Sequence, residues 1–218
     1  ANEGIPLLAG AISYSDSAYY NSSILYGTNG IEIAKYDKQH LVPFGEYVPF
    51  PELMGKFTPV EVDIGHGKES TLFPLKGKAS FSTLICFEDT VAPLAVKAVR
   101  NGARWLVNQS NDAWFDPSAQ SEQHLAHAIF RCIENRIPMA RCCNTGITCT
   151  IDAYGYVQRN LGARTSGFTV SDVYPRPVGL RKTIYTRNGD AFAKFCLIAG
   201  ATVVFVLRSK GWKKRKKD

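Results

Sequence analysis

Short apolar runs of strand length open the chain. Residues 6–13 and 21–26 read as β-strands, and Thr28-Asn29-Gly30 reads as a hairpin turn leading into a third run at 31–36. The pattern then breaks. Residues 40–78 carry many Pro and Gly and no long periodic run, which predicts a loop-rich excursion of a length that is usually functional when ordered. Regularity returns with a strand at 79–85, a helix over 93–101 stopped by Gly102, and a short apolar strand at 104–108. Asp116-Pro117 supplies an N-cap and first-turn proline for a second helix. In that helix Leu125, Ala128, Ile129, Cys132 and Ile133 share one face, and Pro138 ends it. Strands at 139–143, 147–151, 156–160 and 167–172, with Tyr154-Gly155 as a hairpin turn, complete the domain. Strands interleaved with one-sidedly apolar helices predict an α/β fold built in layers.

The last apolar run is of another kind. At ~1.5 Å per residue, 191–207 reaches about 25 Å as a helix, close to the ~30 Å hydrocarbon core of a bilayer. Lys194 near one end and Trp212 near the other suit the two interfaces. A buried C-terminal core helix is the alternative. Against it stand Lys210, Lys213, Lys214, Arg215, Lys216 and Lys217, cations of the kind that flank the cytoplasmic end of a span.

That tail also changes the meaning of the charge. The formal net charge of +7 falls to about +2 without residues 210–218, so nothing marks the globular part as a nucleic-acid binder. At 218 residues and 45% hydrophobic, the chain suits one domain with an appendage. Its six cysteines do not read as a disulfide framework, since Cys142 and Cys143 are adjacent and Cys196 lies in the last apolar run. No CxxC pair suggests zinc, and Cys132, Cys142, Cys143 and Cys149 read as small buried residues. His124 and His127, three apart on a helix, have no accompanying ligands and read as structural; no metal or cofactor is expected. The chain opens on Ala-Asn-Glu-Gly without a signal peptide, which suggests a processed start or the C-terminal portion of a longer protein.

Candidate chemistry centres on Cys86, which ends the strand at 79–85 and precedes Phe87, Glu88 and Asp89. A free thiol with pKa near 8.5 is mostly protonated at neutral pH and needs a cation or base beside it to act as a nucleophile. Lys38, closing the third strand, is a candidate to stabilise a thiolate and later an oxyanion, and Glu46 and Glu88 could orient or deprotonate either group. Spacing alone leaves the plain readings open: a structural thiol, a solvated lysine and surface acids.

Four segments tilt the balance: Tyr-Asp-Lys-Gln-His-Leu-Val-Pro-Phe-Gly-Glu-Tyr-Val-Pro (36–49), Ile-Cys-Phe-Glu (85–88), Asn-Asp-Ala-Trp-Phe (111–115) and Asn-Thr-Gly-Ile-Thr (144–148). In this order they resemble the apolipoprotein N-acyltransferases, the membrane-bound branch of the nitrilase (carbon–nitrogen hydrolase) superfamily. The resemblance implies an α-β-β-α sandwich followed by one C-terminal transmembrane helix. On that reading residues 1–188 are the catalytic domain, 189–208 the span and 209–218 a basic cytoplasmic tail. It implies that Cys86 is the thioester-forming nucleophile, Lys38 the triad lysine, Glu46 an accessory carboxylate and Glu88 the acid two positions after the nucleophile. The N–H of Phe87, standing where tyrosine is common, would help form the oxyanion hole, and Trp114 would line the acyl pocket.

The family's third triad member, a glutamate in a Pro-Glu motif upstream of the first strand, has no counterpart in the sequence. A truncated fragment, inactive alone, is therefore expected. The implied substrates are a membrane phospholipid as acyl donor and the diacylglyceryl-cysteine of an apolipoprotein as acceptor. The implied setting is the bacterial inner membrane, with a monomer whose catalytic domain is periplasmic. Phe44, Tyr47, Val48 and Phe50 are candidates for lipid contact. A small-amide amidase using the same cysteine and an inactive membrane-tethered module are the competing readings.

Overall fold

The computed structural model describes residues 4–50, 52, 64–115 and 118–215, with side chains omitted at 114–115, 159–160 and 209–215. Strands β1 (Leu7–Ser15), β2 (Ala18–Tyr26) and β3 (Glu32–Asp37) form an antiparallel sheet in that order. The first two pair from Leu7↔Tyr26 to Ser15↔Ala18 and are longer than the apolar runs implied. A two-residue turn joins them, and both Asp16 (φ 49°) and Ser17 (φ 65°) take the positive φ that such hairpins require. Polar residues around this turn hid it in the sequence.

A second sheet holds β4 (Phe81–Ile85), β5 (Trp105–Ser110), β6 (Met139–Cys143), β7 (Thr148–Ile151) and β8 (Val157–Leu161). The first three are parallel, and β7 and β8 close the sheet antiparallel. Crossovers run through α1 (Ala92–Arg100) and α2 (Gln120–Asn135), each preceded by a 3₁₀ turn, Cys86–Thr90 and Asp112–Phe115. The expected start of α2 at Asp116-Pro117 lies outside the described residues; the helix itself begins at Gln120, whose N–H donates to Ser118 Oγ at 3.2 Å. It ends on Arg136 in the left-handed conformation (φ 49°), two residues before Pro138.

Two cores follow from the alternation of side chains along the central strands. Leu84, Leu106 and Met139 meet Ala95, Val99, Ala128 and Cys132 of the helices. On the opposite face Phe81, Ile85 and Val107 meet Leu25, Tyr36 and Phe73 between the sheets. Gln109 stitches the sheets further, accepting from Ser23 Oγ at 2.6 Å and donating to the Leu8 carbonyl. The layers are thus sheet, sheet and helices. Among the described residues no helix covers the outer face of β1–β3, where Leu7 and Ile33 stay exposed.

Other expectations meet the structure unevenly. The Tyr154-Gly155 turn forms, and Gly155 (φ +91°) is needed twice over, because a Cβ there would stand 2.7 Å from Ile133 Cδ1. Residues 167–172 are not a strand; Phe168 and Val170 are exposed, although Gly167 lies beside Leu161 at the end of β8. Cys132 and Cys149 are buried as expected, whereas Cys142 is exposed and Cys143 half-buried, at the end of β6; all six cysteines are free.

Helix α3 (Ile184–Asn188) is pinned to the domain by Thr183 and Thr186, which bond the Glu134 carbonyl and Asn135 at the end of α2. Helix α4 then runs from Ala191 to Arg215 without a break. Its segment Ala191–Arg208 has a mean hydropathy of 1.8 and none of it is buried among the described residues, unlike a helix packed in a core. The helix is long and apolar enough to cross a membrane. The side chains of the basic tail lie outside the described residues.

Candidate active site

The site forms where the parallel strands end, the place at which open α/β sheets present functional groups. Cys86 follows the last residue of β4, and its φ of 51° is one that a residue with a Cβ seldom adopts. Strain of this kind persists only when its surroundings hold it. Here Asn108 Nδ2 donates to the carbonyls of both Leu84 and Cys86, at 3.1 Å each. His124 Nε2 lies 3.1 Å from the same Cys86 oxygen. Glu88 accepts the Ile85 N–H at 2.8 Å, closing the turn from its other side. Cys86 therefore sits on a sharp strand-to-helix elbow, half-buried against the inter-sheet core.

Lys38 comes from the end of β3 and is 1% exposed. A buried ammonium needs a partner, and Nζ finds Glu46 Oε2 at 2.7 Å. Glu46 also accepts from Asn21 Nδ2 at 2.8 Å and the Val42 N–H at 2.9 Å. Burial alone raises its pKa, but the Lys38 charge and these donors outweigh that and hold the carboxyl below its ordinary range. The ionised form of Glu46 is thereby favoured, and it pairs with the lysine.

Glu88 has a different task. It is fully buried and accepts from the Tyr36 hydroxyl and from the N–H groups of Gln39, His40 and Ile85 at 2.7–3.0 Å. Burial raises its pKa against the pull of those donors. Its carboxylate is a rivet that fixes the backbone beside Lys38 to the turn carrying Cys86. The structure thus brings Cys86, Lys38, Glu46 and Glu88 into one junction between the sheets, two of them as direct ion-pair partners.

Phe87 follows Cys86; the residue is 42% exposed and its ring is stacked on His40 at 6.2 Å. As the second residue of the 3₁₀ turn, it has an N–H with no acceptor within the turn. Trp114 lies in the turn Asp112–Phe115, but its side chain is outside the described residues. In the loop after β3, Phe44 (φ 62°) and Phe50 (φ 51°) are exposed on left-handed backbone, while Tyr47 is half-buried against His66.

Beneath the elbow lies a buried charge cluster that sequence reasoning did not assemble. Arg141 Nη1 reaches Asp89 Oδ2 at 2.6 Å and Asn108 Oδ1 at 3.0 Å, and its Nη2 lies 3.3 Å from Asp112 Oδ2. His124 stands between Asp112 (Nδ1 to Oδ1, 3.0 Å) and Asp89 (Nε2 to Oδ1, 2.8 Å). Gly146 passes so close to Asp112 that a Cβ there would overlap the carboxylate. His124 thus has a carboxylate at each ring nitrogen, and His127 is exposed. Among the described residues no three His, Cys, Asp or Glu side chains are placed to hold a metal.

Comparison with known proteins fits this geometry. The model of the carbon-nitrogen hydrolase family matches residues 1–180. The chain belongs to the carbon-nitrogen hydrolase family. This carbon-nitrogen hydrolase is 38% identical over 191 residues to the apolipoprotein N-acyltransferase of Geobacter metallireducens, a match covering 87% of the chain and 36% of the relative. It is 34% identical over 218 residues to that of Bradyrhizobium diazoefficiens, covering 94% and 40%. The chain thus spans well under half the length of these curated relatives. Among solved structures it is similar to an amidase from Nesterenkonia sp. (TM-score 0.57, 18% identity, 73% of this chain and 58% of that one). A cysteine mutant of the Nesterenkonia sp. AN1 amidase in complex with butyramide gives a TM-score of 0.58 at 17% identity, over 75% of this chain and 59% of that one. At these identities the likeness speaks for the fold alone.

Proposed function

We propose that this carbon-nitrogen hydrolase is the Cys-bearing part of an apolipoprotein N-acyltransferase. The reading rests on one observation above all: a strained cysteine elbow riveted to a buried Lys38–Glu46 pair, on a domain continuous with an exposed apolar helix. The match to N-acyltransferases along nearly the whole chain supports it.

In this reaction the Cys86 sulfur attacks an ester carbonyl of a membrane phospholipid. A C–S bond forms, and the carbonyl pair moves to oxygen, where the Phe87 N–H and the Lys38 ammonium stabilise it. Collapse expels the glycerol oxygen, which leaves as the hydroxyl of a lysophospholipid with the proton released from the thiol. The α-amine of a diacylglyceryl-cysteine then attacks the thioester, an amide forms, and the amine's proton returns to sulfur. Exposed Phe44 and Phe50 fit lipid contact at the entrance, with Trp114 as a lining of the acyl pocket. Helix α4 holds the domain at the bilayer where both substrates reside, with the domain periplasmic and the basic tail cytoplasmic.

The chain spans well under half the length of its curated relatives. The full-length protein is therefore the material for the test. Mass spectrometry of that protein from membranes is expected to show a fatty-acyl adduct on Cys86, absent in Cys86→Ala. Turnover of small amides such as butyramide with no lipid adduct would favour an amidase instead, and neither activity would leave a tethered module without catalysis.

A further inference from the structure

Two buried side chains converge on the carbonyl oxygen of the nucleophile itself, Asn108 Nδ2 and His124 Nε2, each 3.1 Å away. The amide of Asn108 already bridges the Leu84 and Cys86 carbonyls. His124 adds charge. Its ring is faced by Asp112 from the turn after β5, Asp89 from the turn after β4, Arg141 from β6 and the Cys86 carbonyl. Both ring nitrogens meet acceptors alone. Burial lowers the pKa of His124, but its hydrogen bonds to Asp112 and Asp89 outweigh that and the nearby Arg141, lifting it to about 9.

The Cys86 carbonyl and the Phe87 N–H belong to the same peptide unit, whose atoms are conjugated. A cationic donor on the oxygen draws density from the nitrogen and makes its N–H a stronger donor in turn. We infer that His124 is a positioning residue which, as a cation on the Cys86 carbonyl, strengthens the Phe87 N–H toward the oxyanion that forms during acyl transfer. This rests on the acyl-transfer reading and on the Phe87 N–H as an oxyanion donor. His124 gives up no proton in the step; it acts only through the peptide. Its charge is needed when the carbonyl pair moves to oxygen and is not needed in a reaction of the same sulfur that makes no oxyanion.

That difference sets the experiment. In the full-length membrane protein, Cys86 is followed in two reactions: acylation by phospholipid vesicles, which builds an oxyanion, and alkylation by iodoacetamide, which builds none. His124→Gln keeps an amide donor but removes the charge. Acylation is expected to slow about tenfold, below the ~10²–10³ that loss of a whole oxyanion-hole donor costs, while alkylation stays within about twofold. A parallel loss in both reactions, or unchanged acylation, overturns the inference.

The unsubstituted protein provides a second readout that does not depend on a folded variant. The ratio of acylation to alkylation rates cancels the thiolate fraction and should fall as pH rises through about 9, where His124 loses its proton. A ratio flat from about pH 7 to about pH 10 overturns the inference. If Cys86 is alkylated normally yet never acylated, the acyl-transfer reading itself fails and takes this inference with it, so the two failures are told apart.

Discussion

At the scale of single residues, Cys86 shows how a site stores strain. A φ of 51° is costly for any side chain with a Cβ and free for glycine. Cys86→Gly is therefore expected to be more stable than Cys86→Ala by about 1 kcal/mol, since both lose the sulfur and only one keeps the strain. Equal unfolding midpoints for the two variants would sink that account. Cys86, Lys38 and Glu46 were legible in the sequence because their segment patterns are specific. Asn108 and Arg141 were not, because an Asn in an apolar run and an Arg beside two cysteines carry no sign of what they will face. Their roles appear only when register sets Leu84 beside Asn108 and Asn108 beside Arg141.

Between elements, Glu88 is the fastener. Its carboxylate gathers donors from the end of β3 and from β4, so the spacing of Lys38 and Cys86 depends on it without its touching either side chain. In Glu88→Gln one acceptor oxygen becomes a donor facing other donors, which costs about 2 kcal/mol. Hydrogen exchange should then show the Gln39, His40 and Ile85 amides losing protection roughly 30-fold. Protection unchanged at all three would mean that the junction is held by other contacts. The sequence had suggested Glu88 as a possible base or orienter; burial among four donors shows it fixing the backbone. Element boundaries were legible wherever apolar periodicity had a partner to pack on. At 167–172 the same alternation leaves Phe168 and Val170 exposed, and no strand forms.

Across the whole molecule, the cluster of Asp89, Asp112, His124 and Arg141 binds β4, β5, β6 and α2 together, and it makes stability depend on pH. The folded pKa of His124 is raised from 6.5 to about 9, so its contribution is complete below about pH 6.5 and is lost as pH rises through about 9. Asp112, whose pKa is lowered, contributes above its ordinary value of 3.8 and loses that contribution as acid protonates it. The midpoint of thermal unfolding is expected to fall between about pH 6.5 and pH 9, and the difference from His124→Gln should shrink over the same window. A difference constant with pH would remove the charge from the explanation.

The sequence by itself determined the layered α/β class, the apolar helix with its basic tail, and the candidate thiol and lysine, because each is written in local periodicity or in a contiguous motif. Tertiary structure alone decided which acids are free and which are rivets, and where the buried charges lie. Those properties arise between residues far apart in the chain, through strand register and desolvation, which no local pattern records.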